Sequence, residues 1–405
     1  MSSPRLTVKL RWDYNNFIYK ANVTAQGENG ALPNQHRPGT QPLPQSIKTI
    51  IIRLANPHAM GLASSTRIEN EVAAMTTIRA ALRAEKLDHL IPALYGWAPP
   101  SDASPGYTIM QHMPGSMPDF DALDATGKQS LQEQMAEILA AIQRHGVPDT
   151  VTMFGGLRFD DDGIMVSAAM TLNPAAGTRA SGPYASYADL CAGMLSQELL
   201  VADSNPVTKG WRANGIRERI EALLDSIPRL LGPLASAKKT LVSADFTTGN
   251  LLVDKDSGRV TALLDFDFAF VGAAADEYLR SFHTSGGAFP EPYDEGTAAL
   301  RAAILDGFSS SDQGTPSPSP AHATDNDEWT LAQQWDQALK KHGAQRPCEI
   351  DGMDALSKLH WVTGQINPFR LAVPKLREKM TEEQRVEQRR LAEEGIVRGL
   401  EGLGV

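Results

Sequence analysis

The 405-residue sequence is poor in several features that define other classes of protein. It has two cysteines, Cys191 and Cys348, which are too few for a disulfide framework or a cysteine-based zinc cluster. Its 38 Lys and Arg against 48 Asp and Glu give a net charge of -10, so no overall positive field attracts nucleic acid or anionic lipid. No segment approaches the roughly 18 consecutive apolar residues of a membrane span, and residues 1–13 lack the apolar core of a signal peptide. We therefore expect a cytoplasmic protein without a nucleic acid or membrane partner.

The apolar residues, 42% of the chain, suffice for one large domain or two moderate ones. Alternating and β-branched runs in the first part predict strands, and apolar residues three and four apart after Ser64 predict a helix. Beyond the turn-forming segment 113–115 the periodicity becomes mainly helical, with Pro228 expected to end one helix. The predicted strands are 6–10, 17–23, 48–54 and 107–112, a hairpin covers 153–166, and the predicted helices are 64–85, 126–145, 186–200, 216–227, 329–341, 350–364 and 382–400.

These patterns divide the chain into two predicted units. A sheet-containing unit over residues 1–113 precedes a mainly helical unit over residues 114–405. Residues 26–45 are rich in Gly, Asn, Gln and Pro, which predicts a long exposed loop inserted between two strands. Residues 309–327 consist mostly of Ser, Pro, Asp and Thr, which predicts a flexible insertion in the second unit.

Three oxygen-bearing side chains, Asp245, Asn250 and Asp265, are expected to meet at one end of a hairpin. Two short apolar strands flank a Ser-Gly turn and should pair antiparallel, with Asp254 facing Val260. This register places Asn250 within about 8 Å of Asp265 on the diagonal. Asp245 lies five residues before Asn250 and reaches the same end across a short turn. No apolar packing explains this convergence, so we interpret it as a site.

The chemistry of this site follows from its ligand types. Amide and carboxylate oxygens suit Mg2+, which keeps water and substrate phosphate in its remaining positions. An Asp, an Asn five residues later and a strand-borne Asp form the arrangement that phosphoryl-transfer enzymes use. Asp245 would then accept or orient the substrate proton, while Asn250 and Asp265 would hold the metal. Alternation along the strand directs Asp267 to the same side as Asp265, which predicts a second carboxylate ligand.

The run from Ser243 to Asp267 resembles the catalytic segment of the aminoglycoside phosphotransferase and choline kinase-like family. The usual form in that family is H-G-D-x-x-x-x-N, a hairpin, and then D-F/W-D/E. Ser243 and Ala244 stand where the family has His and Gly, so the chain resembles a divergent member. The resemblance implies an α+β, protein kinase-like bilobal fold with a small antiparallel β lobe and a larger, mainly helical lobe. It also implies ATP and Mg2+ as cofactors and phosphorylation of a hydroxyl group on a small molecule.

The same resemblance implies roles for five residues of the first unit. Arg53 stands where the family has its phosphate-contacting Lys, and Glu71 matches its partner on the following helix. Gln111 and Met113 lie in the hinge that would present backbone groups to adenine. Asn16 lies at the phosphate-covering loop, which has no glycine in this chain. The acceptor is left open by the sequence, although an acidic surface suits a cationic small molecule.

Two alternatives remain open at this point. The missing His and glycines are compatible with a catalytically silent kinase-like protein that binds a nucleotide or another ligand. The run from Leu263 to Asp267 is also similar to the apolar strand and D-x-D of a haloacid dehalogenase-like phosphatase. That alternative requires Thr or Val where Ala269 stands, and it leaves Asp245 and Asn250 without a role.

Overall fold

The structure is a computed structural model that describes residues 6–10, 16–23, 37–56, 64–101, 104–170, 181–308 and 325–405. In these residues an antiparallel sheet comes first along the chain, and a mainly helical region follows. This architecture confirms the expected α+β, protein kinase-like fold class. In the described part of the chain, no helix combines the length and the apolarity needed to cross a bilayer.

The N-terminal sheet places Arg53 in a central strand. The strands are β1 (Leu6–Leu10), β2 (Asn16–Asn22), β3 (Thr49–Ala55), β4 (Leu94–Ala98) and β5 (Tyr107–Gln111). They are ordered β1-β2-β3-β5-β4, so β3 pairs with β2 on one side and β5 on the other. The predicted bounds of β1, β2, β3 and β5 agree with the structure to within one residue. β4 was missed because four of its five residues are buried, which removes the alternation of apolar and polar residues.

Helix α1 (Ser64–Arg83) follows the first three strands and confirms the predicted apolar stripe. Its buried apolar side chains recur every three or four residues and join the main core: Ile68, Val72, Met75, Ile78 and Leu82. The same buried side of the helix also carries polar residues, among them Arg67 and Glu71. Helix α1 therefore supplies both packing and charged groups to the interior.

The second region is mainly helical. Its helices are α2 (Ala125–His145), α3 (Tyr187–Ser204), α4 (Ile216–Leu230), α5 (Ala274–Arg280), α6 (Ala298–Asp306), α7 (Asp325–His342), α8 (Met353–Ile366), α9 (Phe369–Ala372), α10 (Pro374–Glu378) and α11 (Glu382–Gly402). The prediction that Pro228 ends α4 was wrong, since this proline lies inside the helix. The last turn continues because the proline keeps a helical φ and the Leu231 amide donates to the carbonyl of Ile227 at 2.9 Å.

Three antiparallel ribbons complete the described structure. β6 (Gly156–Phe159) and β7 (Met165–Ala168) form the predicted hairpin. β9 (Leu251–Val253) and β10 (Val260–Leu263) form the hairpin expected at the site. β8 (Thr240–Val242) pairs with β11 (Phe270–Gly272), which no local pattern predicted. This last ribbon holds the segments before Asp245 and after Asp267 side by side.

The two predicted insertions fall largely outside the described residues, since 24–36 and 309–324 are not described. Residues 37–45 contain neither helix nor strand. Residues 325–327 belong to α7, so the predicted flexible insertion extends too far. Acidic side chains are favoured in the first turn of a helix, where the helix dipole is positive, and Asp327 lies in the first turn of α7. The unit boundary at residue 113 stays a prediction.

Candidate active site

Asp245 and Asn250 occupy one loop between β8 and β9. The backbone turns sharply before the carboxylate, with Ala244 in the left-handed region at a φ of 62°. The side-chain amide of Asn250 donates to Asp245 Oδ2 at 2.9 Å and to the Asp245 carbonyl at 2.8 Å. The Asn250 Nδ2 group therefore orients the Asp245 carboxylate, and the Asn250 Oδ1 atom is left to accept from, or bind, another partner.

The β9–β10 ribbon brings Asp265 to the same end, as the sequence predicted. Leu263 pairs with Leu251, and the Leu264 amide donates to the carbonyl of Asn250 at 2.8 Å. The expected pairing of Asp254 with Val260 was wrong: a bulge between Val260 and Ala262 shifts the register, and Val260 pairs with Val253. The shift lies at the far end of the ribbon and does not alter the convergence.

Arg53 and Glu71 form a hydrogen-bonded ion pair in the interior, between β3 and α1. The other terminal nitrogen of Arg53, Nη2, lies 3.4 Å from Asp265 Oδ1 and 3.4 Å from Asp267 Oδ2. One guanidinium thus links the N-terminal sheet to the segment that follows the β9–β10 ribbon. The sequence predicted the Arg53–Glu71 pair, and the structure adds the contacts to the two aspartates.

Asp267 lies in surroundings that the sequence did not predict. Its side chain is fully buried, and Arg67 binds it through Nε at 3.3 Å and Nη2 at 2.9 Å. Asn16 Nδ2 donates to the same carboxylate at 3.0 Å. Both oxygens of this carboxylate therefore accept hydrogen bonds, and its predicted role as a second metal ligand beside Asp265 stays a prediction. Arg67 could have been suspected because it lies one helical turn before Glu71 on the same side of α1.

Glu71, Asp265 and Asp267 also present carboxylate oxygens within 4.8 Å of one another, a spacing that could hold a metal ion. In the structure, however, the guanidinium groups of Arg53 and Arg67 lie against these acids. The Asp265 side chain is the accessible one, 35% exposed, whereas those of Glu71 and Asp267 are 1% and 0% exposed. A cation entering from solvent therefore meets Asp265 first.

The pKa values of the three acids differ because their charged neighbours differ. Burial raises the pKa of Glu71 to about 7, against the opposing effect of Arg53. Burial and the neighbouring Asp267 raise the pKa of Asp265 to about 6. Burial also disfavours the charged form of Asp267, but the Arg67 and Arg53 guanidiniums outweigh it and hold the pKa of this carboxyl below its usual value. Asp267 is thus the fixed anion of the cluster.

Glu277 on α5 supports the loop where the chain lacks the usual His-Gly. Its carboxylate accepts hydrogen bonds from the Ser243 amide at 2.7 Å, the Ala244 amide at 3.1 Å and the Ser281 hydroxyl at 2.5 Å. Burial raises the pKa of Glu277 to about 7. Sequence reasoning missed this residue, since an acid 34 positions from its partner has no local signal.

Gln111 and Met113 lie at the junction between the sheet and the helical region. The Gln111 side-chain oxygen accepts a hydrogen bond from the Ala93 amide at 3.1 Å. Both residues line a groove of about 520 Å³, together with residues of α2 and β10 such as Gln134 and Val260. Their predicted contact with adenine stays a prediction. The phosphate-covering loop is described from Asn16 onward, because residues 11–15 lie outside the described residues.

The N-terminal sheet, the mainly helical region and its three ribbons define a protein of the kinase-like fold. The family model described as the phosphotransferase enzyme family matches residues 46–318, about two thirds of the chain. The chain therefore belongs to this family, whose members phosphorylate small molecules. This assignment removes the haloacid dehalogenase-like alternative.

Several solved structures are similar to this chain at low sequence identity. A candidate fructosamine-3-kinase from Haemophilus somnus 129PT is similar over 97% of this chain and 90% of its own, with 12% identity and a TM-score of 0.51. ADP-bound aminoglycoside phosphotransferase APH(2'')-Ib matches over 87% and 88%, with 14% identity and a TM-score of 0.44. Plasmodium vivax ethanolamine kinase matches over 95% and 78%, with 10% identity and a TM-score of 0.40. No curated protein sequence matches the chain significantly.

Proposed function

We propose that the chain transfers the γ-phosphoryl group of ATP to a hydroxyl group of a small molecule. The observation that carries this proposal is that Asp245, whose carboxylate is oriented by Asn250, lies at one site with Asp265 and Arg53. The chain that carries this site belongs to the phosphotransferase family. Phosphoryl transfer needs little covalent chemistry from the protein, and its catalysis is mainly positioning and charge stabilisation. These four side chains supply both.

In this proposal Asp245 receives the proton of the acceptor. The hydroxyl oxygen attacks the γ-phosphorus and forms the new O–P bond, the bond from that phosphorus to the β-phosphate oxygen breaks, and ADP leaves. The hydroxyl proton passes to the Asp245 carboxylate, which the Asn250 amide orients from one side. Burial raises the pKa of Asp245, which makes its carboxylate a stronger proton acceptor than an exposed aspartate.

Asn250 and Asp265 fit Mg2+ as ligands. The Asn250 amide nitrogen is engaged by Asp245, so its oxygen is the atom available to a cation, and the Asp265 carboxylate is partly exposed. This all-oxygen pair leaves positions for water and phosphate, as Mg2+ prefers. When bound, Mg2+ would neutralise charge on the phosphates. Asp267 has both oxygens engaged by Arg67, so we assign it to anchoring instead of metal binding.

Arg53 would contact the phosphates from the N-terminal sheet. Its guanidinium is always charged and presents several donors in one plane, which suits phosphate oxygens. Glu71 holds one of its terminal nitrogens, while the contacts of the other to Asp265 and Asp267 are long, at 3.4 Å. The weakly held nitrogen is therefore the one that can exchange partners when a phosphate arrives.

An ADP-release assay with Mg2+ and ATP over a library of small hydroxyl and amine compounds tests the proposal. We expect acceptor-dependent release by the wild type and a loss of about 10²–10⁴-fold in Asp245→Asn, which keeps the size of the side chain. Asp256→Asn changes an exposed aspartate in the turn between β9 and β10 and should retain full activity.

Two results would contradict this function. Undiminished turnover by Asp245→Asn removes the assigned proton acceptor. A rise in melting temperature with Mg2+ and ATP, but no ADP release with any acceptor, favours the catalytically silent, nucleotide-binding alternative.

A further inference from the structure

Asn70 lies inside helix α1, directly before Glu71, and is 1% exposed. Asparagine is a poor residue for a helix interior, because its amide competes for backbone hydrogen bonds in other conformations. A buried amide also loses its hydration, and the loss is offset only where its polar atoms find partners. The contacts of the side chain therefore have to explain why an asparagine occupies this position.

Both polar atoms of the Asn70 side chain bind backbone groups outside α1. Nδ2 donates to the carbonyl oxygen of Ala269 at 2.8 Å, and Oδ1 accepts from the Leu157 amide at 2.8 Å. The first partner lies two residues after Asp267, and the second lies in β6. One amide thus joins α1 to the segment that follows the β9–β10 ribbon and to the β6–β7 hairpin.

A closed loop of contacts runs through this amide. Gly155, at the start of the hairpin, exchanges backbone hydrogen bonds with Val271 of β11, at 3.0 Å and 2.6 Å. A Cβ atom on Gly156 would lie 2.2 Å from the Ala169 carbonyl oxygen and 3.2 Å from Asn70 Oδ1, so this close approach requires glycine. The hairpin is therefore fixed to β11 by its backbone and to α1 by Asn70.

The amide also lies between the two halves of the candidate site. On one side, Glu71 follows Asn70 in the chain and forms the ion pair with Arg53. On the other side, Asp265 lies four residues before Ala269 and has a left-handed φ of 59°. This conformation persists in a residue other than glycine only where the surroundings enforce it. The hydrogen bond to the Ala269 carbonyl fixes the backbone of the same short segment.

We propose that Asn70 is a positioning residue for phosphoryl transfer. Its amide fixes the distance between the Arg53–Glu71 pair, which would contact the phosphates, and Asp265, which would hold Mg2+. This inference rests on the proposed function. Because Asn70 is buried, it acts through the Ala269 backbone and through its neighbour Glu71 instead of touching the substrate. An amide offers the donor and the acceptor that the two backbone partners require.

Asn70→Asp separates the two hydrogen bonds. The carboxylate keeps an acceptor for the Leu157 amide, but it cannot donate to the Ala269 carbonyl. The segment that carries Asp265 then loses its link to α1 through this side chain, while the size of the side chain is unchanged. Small displacements of positioning groups have large effects on phosphoryl transfer, so we expect a change in how the site uses Mg2+.

Asn205→Asp is the matched control. Asn205 is also buried, accepts from the Val207 amide at 2.9 Å and donates to the Leu371 carbonyl at 3.1 Å. These contacts join the end of α3 to α9 and include no residue of the candidate site. Both variants lose the partner of one buried carbonyl, so their melting temperatures should fall by similar amounts. A merely structural role for Asn70 would therefore give the two variants the same behaviour.

Isothermal titration calorimetry with ADP, in the presence and absence of Mg2+, gives a readout that needs no turnover. The gain in ADP affinity caused by Mg2+ should fall about tenfold in Asn70→Asp and stay within about twofold of wild type in Asn205→Asp. In ADP-release assays, the Mg2+ concentration that gives half the maximal rate should rise about tenfold in Asn70→Asp, while the KM for the acceptor stays within about twofold.

The inference is overturned if the gain caused by Mg2+ is unchanged in Asn70→Asp, or if Asn205→Asp reduces it equally. If Asn70→Asp does not fold, Asn70→Ser and Asn205→Ser replace the two variants, and the same two results decide. Failure of the proposed function looks different: the wild type itself then releases no ADP with any acceptor, whatever its affinity for ADP.

Discussion

Arg67 on α1 binds both carboxylate oxygens of Asp267, with Nε 3.3 Å from Oδ1 and Nη2 2.9 Å from Oδ2. Both side chains are almost completely buried. A buried carboxylate is stable only while opposite charge and hydrogen-bond donors satisfy it. Because α1 also carries Glu71, and Asp267 lies two residues after Asp265, this ion pair fixes helix α1 to the segment that follows the β9–β10 ribbon.

Replacing Arg67 by Met should destabilise the protein strongly. The change leaves Asp267 buried without its main partner, and breaking a buried pair in this way costs about 3–5 kcal/mol. Urea unfolding followed by circular dichroism measures the loss. Arg390→Met removes an arginine from exposed ion pairs on α11 and should leave the urea midpoint almost unchanged. Equal midpoints for the two variants would show that the buried pair has no anchoring role.

Glu277→Ala should disrupt the loop that carries Asp245. The Ser243 and Ala244 amides lose their acceptor, and each buried donor left unsatisfied costs roughly 1–3 kcal/mol. We expect a lower kcat in ADP release, while the KM for ATP changes little because Arg53 is untouched. Glu277→Gln keeps one acceptor oxygen and should recover part of the kcat. A normal kcat in Glu277→Ala would mean that the loop holds its shape without this acid.

Local sequence patterns predicted the strands in which apolar and polar residues alternate and the helices that carry a long apolar stripe. The β-branched residues of β3 and the stripe of α1 confirm this. β4 escaped because it is buried on both sides, and α5 because seven residues are too few to show a helical period. The β8–β11 pairing depends on two segments almost thirty residues apart, and nothing in either segment identifies the other.

The same distinction applies to the site. Asp245, Asn250 and Asp265 are brought together by one short loop and one hairpin, so their convergence is readable from spacing. Arg67 binds Asp267, which lies 200 residues later in the sequence. The alternation expected along a strand predicted only the side to which the aspartate points, and not its partner. Its partner is set by how α1 packs against the ribbon, which is a tertiary property.

Asp265→Asn should make the protein more stable at pH 8 and abolish Mg2+-dependent ADP release. The pKa of Asp265 is raised to about 6 by burial and by Asp267, so its contribution to stability is full below the unfolded value near 3.8 and is lost as the pH rises through 6. Because the side chain is partly exposed, solvent screening limits the gain to about 1 kcal/mol.

Thermal unfolding of the Asp265→Asn variant and the wild type at pH 4 and pH 8 checks this prediction. The stability difference should be present at pH 8 and nearly absent at pH 4. Asp254→Asn provides the contrast, since hydrogen bonds from Ser257 lower the pKa of Asp254 and its removal should bring no gain at pH 8. A loss of stability at pH 8 in Asp265→Asn would mean that the Arg53 contact outweighs the repulsion from Asp267.

Glu198 on α3 predicts a second pH dependence, remote from the loop of Asp245. Burial raises its pKa to about 7 from a usual 4.5, although the Asn367 amide donates to its carboxylate at 2.9 Å. The folded state therefore favours the protonated acid: its stabilisation is complete below pH 4.5 and is lost progressively up to pH 7, by about 3 kcal/mol.

Glu198→Gln keeps an acceptor for Asn367 without the charge, so its free energy of unfolding should exceed that of the wild type at pH 8 and approach it at pH 5. Urea unfolding at the two pH values measures this difference, and parallel pH profiles for the two proteins would show that Glu198 is buried without a shifted pKa.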